Sequence, residues 1–132
     1  MFDPKTRILI VDDFLFLRTT LRTTLGMLGF TDILEAEDGR KAWDVLSNAN
    51  PPVGLVLSDW NMPGSSGVDL LKRVRSESRF AKLPFVLVTT ESERGAILEA
   101  AEAGVSNYIV KPYSVETVKT KLEAVYQKLA GG

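Results

Sequence analysis

The sequence predicts an α/β protein built on one doubly wound, five-stranded parallel sheet with five flanking helices. Three observations lead there. Short apolar or β-branched runs alternate five times with helix-like stretches. The length, 132 residues, suits a single core. Acidic, hydroxyl and lysine residues gather at the C-terminal ends of the predicted strands, the edge at which open parallel sheets bind ligands.

Taken in order, Ile8-Leu9-Ile10-Val11 is a compact β-branched run that suits a strand. Residues 14–28 follow, with Leu17, Leu21, Leu25 and Leu28 on one helical stripe. Gly29 suits the position that ends a helix. Ile33-Leu34-Glu35-Ala36 reads as the second strand, and residues 39–47 as a short helix with Ala42, Val45 and Leu46 facing in. Residues 48–52 are loop by composition. Residues 53–58 form a nearly continuous apolar run, the mark of a central strand buried on both faces. Residues 59–66 are turn-rich, and 67–77 form the third helix.

Phe85-Val86-Leu87-Val88 is the fourth strand. Residues 93–103 form the fourth helix, with Gly104 as its stop. Tyr108-Ile109-Val110 is the fifth strand. Ser114 is placed to cap the last helix, whose Val118, Leu122, Val125 and Leu129 recur at helical spacing. Gly131 and Gly132 are expected to fray. The crossovers should be right-handed. The fold is expected to consume residues 1–132 as one domain, with nothing left for an output domain, linker or repeat.

Composition narrows the function by exclusion. Lys and Arg total 16 against 17 Asp and Glu, a formal net charge of −1. A nucleic-acid-binding body would carry a clustered basic surplus, so no nucleic-acid partner is expected. The absence of cysteine excludes a disulfide framework and a thiolate metal site. No apolar run approaches the roughly 20 residues of a membrane span. Met1-Phe2-Asp3-Pro4-Lys5 lacks the charged-then-apolar order of a signal peptide. A cytoplasmic protein without membrane association is therefore expected. Histidine is also absent, which excludes a Ser-His-Asp triad, a His-based zinc site and a phosphohistidine on this chain. Chemistry falls to carboxylates, Lys, Ser, Thr or Tyr.

The strand ends supply those groups. The first strand ends in Val11-Asp12-Asp13, the third in Ser58-Asp59, the fourth in Thr89-Thr90-Glu91 and the fifth in Lys111-Pro112. In a parallel sheet all four ends share one edge. Carboxylates crowded there repel one another, and a hard divalent cation such as Mg²⁺ relieves the repulsion through oxygen ligands. Lys111 adds a point charge suited to a phosphoryl oxygen, and Thr89 a hydroxyl donor. An aspartate beside such a cation can attack a phosphoryl group and form an acyl phosphate. Phosphoryl transfer asks mainly for positioning and charge neutralisation, so the missing histidine is no obstacle. Each residue also has a plain structural reading. Asp12 or Asp13 would help cap the first helix, Asp59 would serve a turn, and Lys111 would be solvated. Thr89 would be a β-branched strand residue and Tyr108 a core aromatic. Their joint placement on one edge favours a site.

The segments Val11-Asp12-Asp13-Phe14, Ser58-Asp59-Trp60-Asn61-Met62-Pro63, Val88-Thr89-Thr90-Glu91 and Tyr108-Ile109-Val110-Lys111-Pro112 together resemble the bacterial response-regulator receiver family. They are similar to its chemotaxis branch in particular. The resemblance covers nearly the whole chain and implies the flavodoxin-like (βα)5 fold with strand order 2-1-3-4-5. It implies Asp59 as phosphoacceptor, Asp13 as a direct Mg²⁺ ligand, Asp12 as an acidic neighbour acting through water, and Asn61 as a carbonyl ligand. It implies Lys111 as the phosphoryl-contacting lysine, a cis Lys111-Pro112 bond, and Thr89 with Tyr108 as a switch pair. A signalling switch is implied, not a turnover enzyme. The implied phosphodonor is a histidine kinase, the chemotaxis kinase in that branch. The implied partner is the flagellar motor switch protein, bound on the face of the fourth helix, fifth strand and fifth helix. A phosphatase is a further possible partner, and a monomer is expected.

The sequence departs from the family pattern at four places. Ser66 stands where an acidic residue is common. Thr90 replaces a smaller residue and is expected to narrow access to Asp59. Glu93-Arg94 replaces a lysine pair, which changes charge on the partner face. Gly95 costs its helix about 1 kcal/mol relative to Ala, so a mobile first turn is expected there. A role as phosphate sink or relay receiver stays open. A Mg²⁺-dependent phosphohydrolase with an aspartate nucleophile is the rival of another class, although those enzymes carry Asp-x-Asp where this chain has adjacent Asp12-Asp13. A flavin-binding module would need a hydroxyl- and Gly-rich loop where Asp12-Asp13-Phe14-Leu15 stands.

Overall fold

The computed structural model describes residues 1–60, 66–90 and 94–131. Its strands are β1 (Ile8–Val11), β2 (Ile33–Ala36), β3 (Leu55–Asp59), β4 (Phe85–Thr90) and β5 (Asn107–Lys111). Its helices are α1 (Leu15–Met27), α2 (Gly39–Asn48), α3 (Gly67–Ser76), α4 (Arg94–Glu102) and α5 (Val115–Gly131), with a 3-10 turn at Ser78–Phe80. The strands pair in parallel in the order β2-β1-β3-β4-β5. This is the flavodoxin-like (βα)5 sheet that the sequence predicts.

Strand periodicity sorts the apolar side chains into two cores. Leu9, Val11, Val56, Phe85 and Leu87 face α2, α3 and α4, where Ala42, Leu46, Leu71, Val74 and Ala100 meet them. Ile8, Ile10, Leu55, Leu57, Val86, Val88 and Ile109 face the other way, onto Leu21 and Leu25 of α1 and Val118, Leu122 and Val125 of α5. Both faces are covered, which is why β1, β3 and β4 read as apolar without alternation.

Helix ends follow local chemistry. The Asp38 carboxylate caps α2 by accepting the Lys41 N–H at 2.8 Å. Ser114 Oγ accepts the Thr117 N–H at 3.1 Å at the start of α5. Gly29 and Gly104 take φ of 99° and 92° after α1 and α4, a conformation that favours glycine. Ser66, where the family often has an acid, forms a capping box with Asp69.

Several expectations are corrected. β3 begins at Leu55, not Val53, because the Gly54 N–H turns to Arg7 O at 2.8 Å and Pro51-Pro52 precede it. Asp59 is the last residue of β3, not part of a turn. Neither Asp12 nor Asp13 caps α1: Phe14 is the N-cap and makes no side-chain cap, while Asp12 Oδ1 braces the preceding turn by accepting the Phe14 N–H at 3.0 Å. α5 continues through Gly131, so that residue does not fray. Leu129 is 46% exposed, so the buried stripe of α5 ends at Val125. The 3-10 turn was not legible from the sequence. It is held by Arg75, whose guanidinium donates to Phe80 O at 3.3 Å and Leu83 O at 2.7 Å. The Lys111-Pro112 bond is cis as expected, and so is Asn50-Pro51.

The start of α3 is fixed by close approach to the end of β3. The Gly67 N–H donates to Trp60 O at 2.7 Å. A Cβ on Gly67 would lie 2.1 Å from Asp59 O, a backbone atom that cannot swing aside. Gly67→Ala is therefore expected to push α3 off the Asp59 peptide and cost about 1–3 kcal/mol. Urea unfolding measures this, and an unchanged midpoint would contradict the close approach.

Candidate functional site

One parity argument places the site. Asp59 follows Leu55 and Leu57 at two-residue steps on β3, and Lys111 follows Ile109 on β5. Asp12 follows Ile8 and Ile10, and Thr90 follows Val86 and Val88. All four therefore extend the face covered by α1 and α5, beyond the last core residues. β1 and β3 are adjacent, with Val11 opposite Ser58, so Asp12 and Asp59 come side by side. The strand order reverses at this point, where open α/β sheets form their ligand crevice. A cleft of ≈ 330 Å³ opens there, lined among others by Asp12, Asp59, Thr90, Lys111 and Tyr113.

Lys111 and Asp59 sit two strands apart, about 10 Å at the backbone. The lysine stem spans the end of β4, and Nζ reaches Asp59 Oδ1 at 3.0 Å. It also stands 3.8 Å from Asp12 Oδ2. Asp59 is 8% exposed, and its Oδ1 accepts the Trp60 N–H at 2.9 Å. Ser58 Oγ donates to Asp59 O at 2.9 Å, so the residue is held from both ends.

Asp12, Asp13 and Asp59 each offer a carboxylate oxygen within 4.8 Å of the others. Three negative charges face the single positive charge of Lys111. Asp13 Oδ1 is buried without a hydrogen-bond partner among the described residues. A buried carboxylate oxygen left unpartnered is costly. An all-oxygen donor set with an orphaned atom fits a hard divalent cation such as Mg²⁺. The acidic cluster is of the kind that forms the Mg²⁺ pocket in receiver domains. Burial pushes the Asp12 carboxyl above its ordinary range. The Phe14 N–H and Lys111 oppose that shift, while Asp59 and Asp13 add to it by repulsion.

The structure brings Asp12, Asp13, Asp59 and Lys111 together. Thr89 is fully buried near the end of β4, on the opposite face of the sheet from Asp59. Tyr108 shares that face, pairs in register with Leu87 and is half-buried against the core of α2, α3 and α4. Thr90 and Asp59 both line the cleft. Asn61 and the Glu93 departure lie outside the described residues, and so does the side chain of Arg94. Sequence reasoning missed three features. The Lys121 ammonium sits over the Tyr108 ring, 4.4 Å from its centroid. Phe14, Leu15 and Phe16 are 62%, 66% and 79% exposed beside the cleft. Their exposure was legible, since none belongs to the leucine stripe. Arg18 Nη1 donates to Asp12 O at 2.7 Å; the arginine itself gave no signal.

Comparison with known proteins agrees with this geometry. Residues 8–123 match the response regulator receiver domain. Chemotaxis protein CheY1 of Helicobacter pylori is 45% identical over 119 residues, covering 90% of this chain and 95% of that protein. Chemotaxis protein CheY of Pseudomonas aeruginosa is 43% identical over 125 residues, covering 95% and 99%. The solved structure of the chemotaxis response regulator CheY4 of Vibrio cholerae superposes with a TM-score of 0.82 at 30% identity, covering 92% of this chain and 98% of that one. The chain belongs to the response regulator receiver family and is a CheY-like domain of the two-component, chemotaxis type. Receiver domains are signalling switches, not turnover enzymes, which disfavours the phosphohydrolase alternative. No helix among the described residues is long and apolar enough to cross a membrane.

The Asp12 shift has a stability consequence. Its pKa is higher folded than unfolded, so stability falls as pH rises from the unfolded value through the folded one. The loss persists at neutral pH. Asp12→Asn keeps the acceptor for Phe14 and removes the charge. In EDTA at pH 7 it is expected to raise Tm, and the gain should shrink as pH is lowered toward about 4. An equal or lower Tm at pH 7 would contradict the repulsion.

Proposed function

We propose that this chain is a response regulator phosphorylated on Asp59 by a histidine kinase and read out by a partner on the α4–β5–α5 face. The observation that carries the reading is the Lys111–Asp59 pair at 3.0 Å inside a carboxylate cluster that lacks its balancing charge. The phosphorus forms a bond to an Asp59 carboxylate oxygen as its bond to the donor nitrogen, or to the oxygen of a small acyl phosphate, breaks. The donor has to be external, because the chain has no histidine. A carboxylate nucleophile attacks through an oxygen lone pair, so the step calls for positioning and charge neutralisation and not for a separate base. Lys111 already holds one Asp59 oxygen and would follow the charge onto the phosphoryl group. Asp13 and Asp59, with Asp12 through water and the Asn61 carbonyl, would hold Mg²⁺. Bound there, Mg²⁺ supplies neutralisation of phosphoryl charge.

Thr89 and Tyr108 are the proposed switch pair. Tyr108 lies on β5, on the sheet face away from Asp59, and Lys121 of α5 covers its ring. Movement of the Thr89 hydroxyl toward the phosphoryl group would free room for the ring to turn inward and reshape that face. Relatives named as chemotaxis proteins favour the flagellar motor switch protein as partner and the chemotaxis kinase as donor. A role as phosphate sink or relay receiver is the second reading, because Glu93-Arg94 alters the charge of the partner face. The proposed setting is cytoplasmic.

The test is binding of a motor switch peptide with and without beryllofluoride and Mg²⁺, followed by fluorescence anisotropy. Beryllofluoride should tighten binding to the wild type about tenfold or more, a differential typical of coupled sites, and leave Asp59→Asn unchanged. Equal affinity in both states of the wild type would remove the motor reading and favour the phosphate sink.

A further inference from the structure

We propose that Arg18 is a positioning residue for the acidic pair, clamping the Asp12 peptide so that the Asp12-Asp13 corner is set for a divalent cation. The inference rests on the metal reading above. The corner is short and connects β1 directly to α1, so its geometry depends on what holds the Asp12 peptide. The Asp12 N–H donates to Ala36 O on β2 at 3.1 Å. Its carbonyl accepts from Arg18 Nη1 at 2.7 Å. Both backbone polar groups of Asp12, one in each flanking peptide, are thus tied to neighbouring elements.

Arg18 is itself held. Its Nε donates to Glu35 Oε1 at 3.0 Å, and the second Glu35 oxygen takes Arg22 Nη1 at 2.6 Å. The Arg18 side chain is 14% exposed, so this is not a solvated surface pair. The guanidinium fork bonds a carbonyl and a carboxylate at once, a geometry a lysine ammonium does not reproduce. The chain of contacts runs from β2 through Glu35 and Arg18 to the peptide that carries Asp12 and precedes Asp13. Among the described residues no side-chain donor meets Asp13 Oδ1. The backbone clamp on Asp12 is the constraint next to it in the chain.

Outer residues that orient metal ligands typically affect affinity by 10–100-fold. Mg²⁺ titration of the full chain, followed by the fluorescence of Trp60 beside Asp59, reads the effect without any phosphodonor. Arg18→Gln should weaken Mg²⁺ binding by about tenfold. Arg18→Lys should fall between it and the wild type. Arg22→Gln loses an ion pair to Glu35 but touches nothing at Asp12, so it should bind Mg²⁺ within about twofold of the wild type, as second-sphere scaling implies. A purely structural role would lower Tm in the Arg18 variants and leave affinity intact in the folded fraction, which circular dichroism defines. Wild-type affinity in Arg18→Gln, or in Arg18→Lys should Arg18→Gln not fold, would overturn the inference. A wild type that fails to respond to Mg²⁺ would instead overturn the metal reading beneath it.

Discussion

The repulsion among Asp12, Asp13 and Asp59 is the constraint on which this edge of the sheet depends. Their oxygens lie within 4.8 Å of one another, and Lys111 supplies one positive charge against three negative ones. Such an arrangement is unfavourable in isolation: burial raises the Asp12 carboxyl, and repulsion from Asp59 and Asp13 adds to the shift. It persists because two covered sheet faces and a set of backbone bonds over-determine it. A cluster of this kind favours a hard divalent cation, whose charge relieves the repulsion.

Strand parity sorts the polar residues at this edge onto two faces. Asp12, Asp59, Thr90 and Lys111 extend the face shared with α1 and α5. Thr89 and Tyr108 lie on the opposite face, against the core of α2, α3 and α4. Among the described residues, the ends of β4 and β5 join the two faces next to Asp59. The Tyr108 ring stands at that junction with Lys121 over it, so its orientation is coupled to α5. Gly67 admits α3 against the Asp59 peptide, where any side chain would collide.

Much of this was legible in the sequence because buried strands read as continuous apolar runs, helices as apolar stripes with glycine stops, and the polar groups fall at the strand ends. The five strands, five helices, the two helix-stopping glycines and the four charged residues of the site all follow from that pattern. What escaped depends on contacts between elements distant in sequence. Arg18 looks like any helical arginine until Glu35 and the Asp12 carbonyl are beside it. Ser66 read as a departure from the family because its capping role needs the orientation of Asp69. The start of β3 moved because Gly54 bonds to Arg7, a contact with no local signature. Leu129 has the right spacing for the core, yet α5 outruns the sheet it covers.

The central claim is that the acyl phosphate forms on Asp59. Borohydride reduction after incubation with acetyl phosphate and Mg²⁺ converts an aspartyl phosphate to homoserine, which peptide mass spectrometry locates. Homoserine at position 59, absent when EDTA replaces Mg²⁺, is the expected result. Homoserine at Asp12 or Asp13, or no conversion under conditions in which Mg²⁺ binds, would contradict the account.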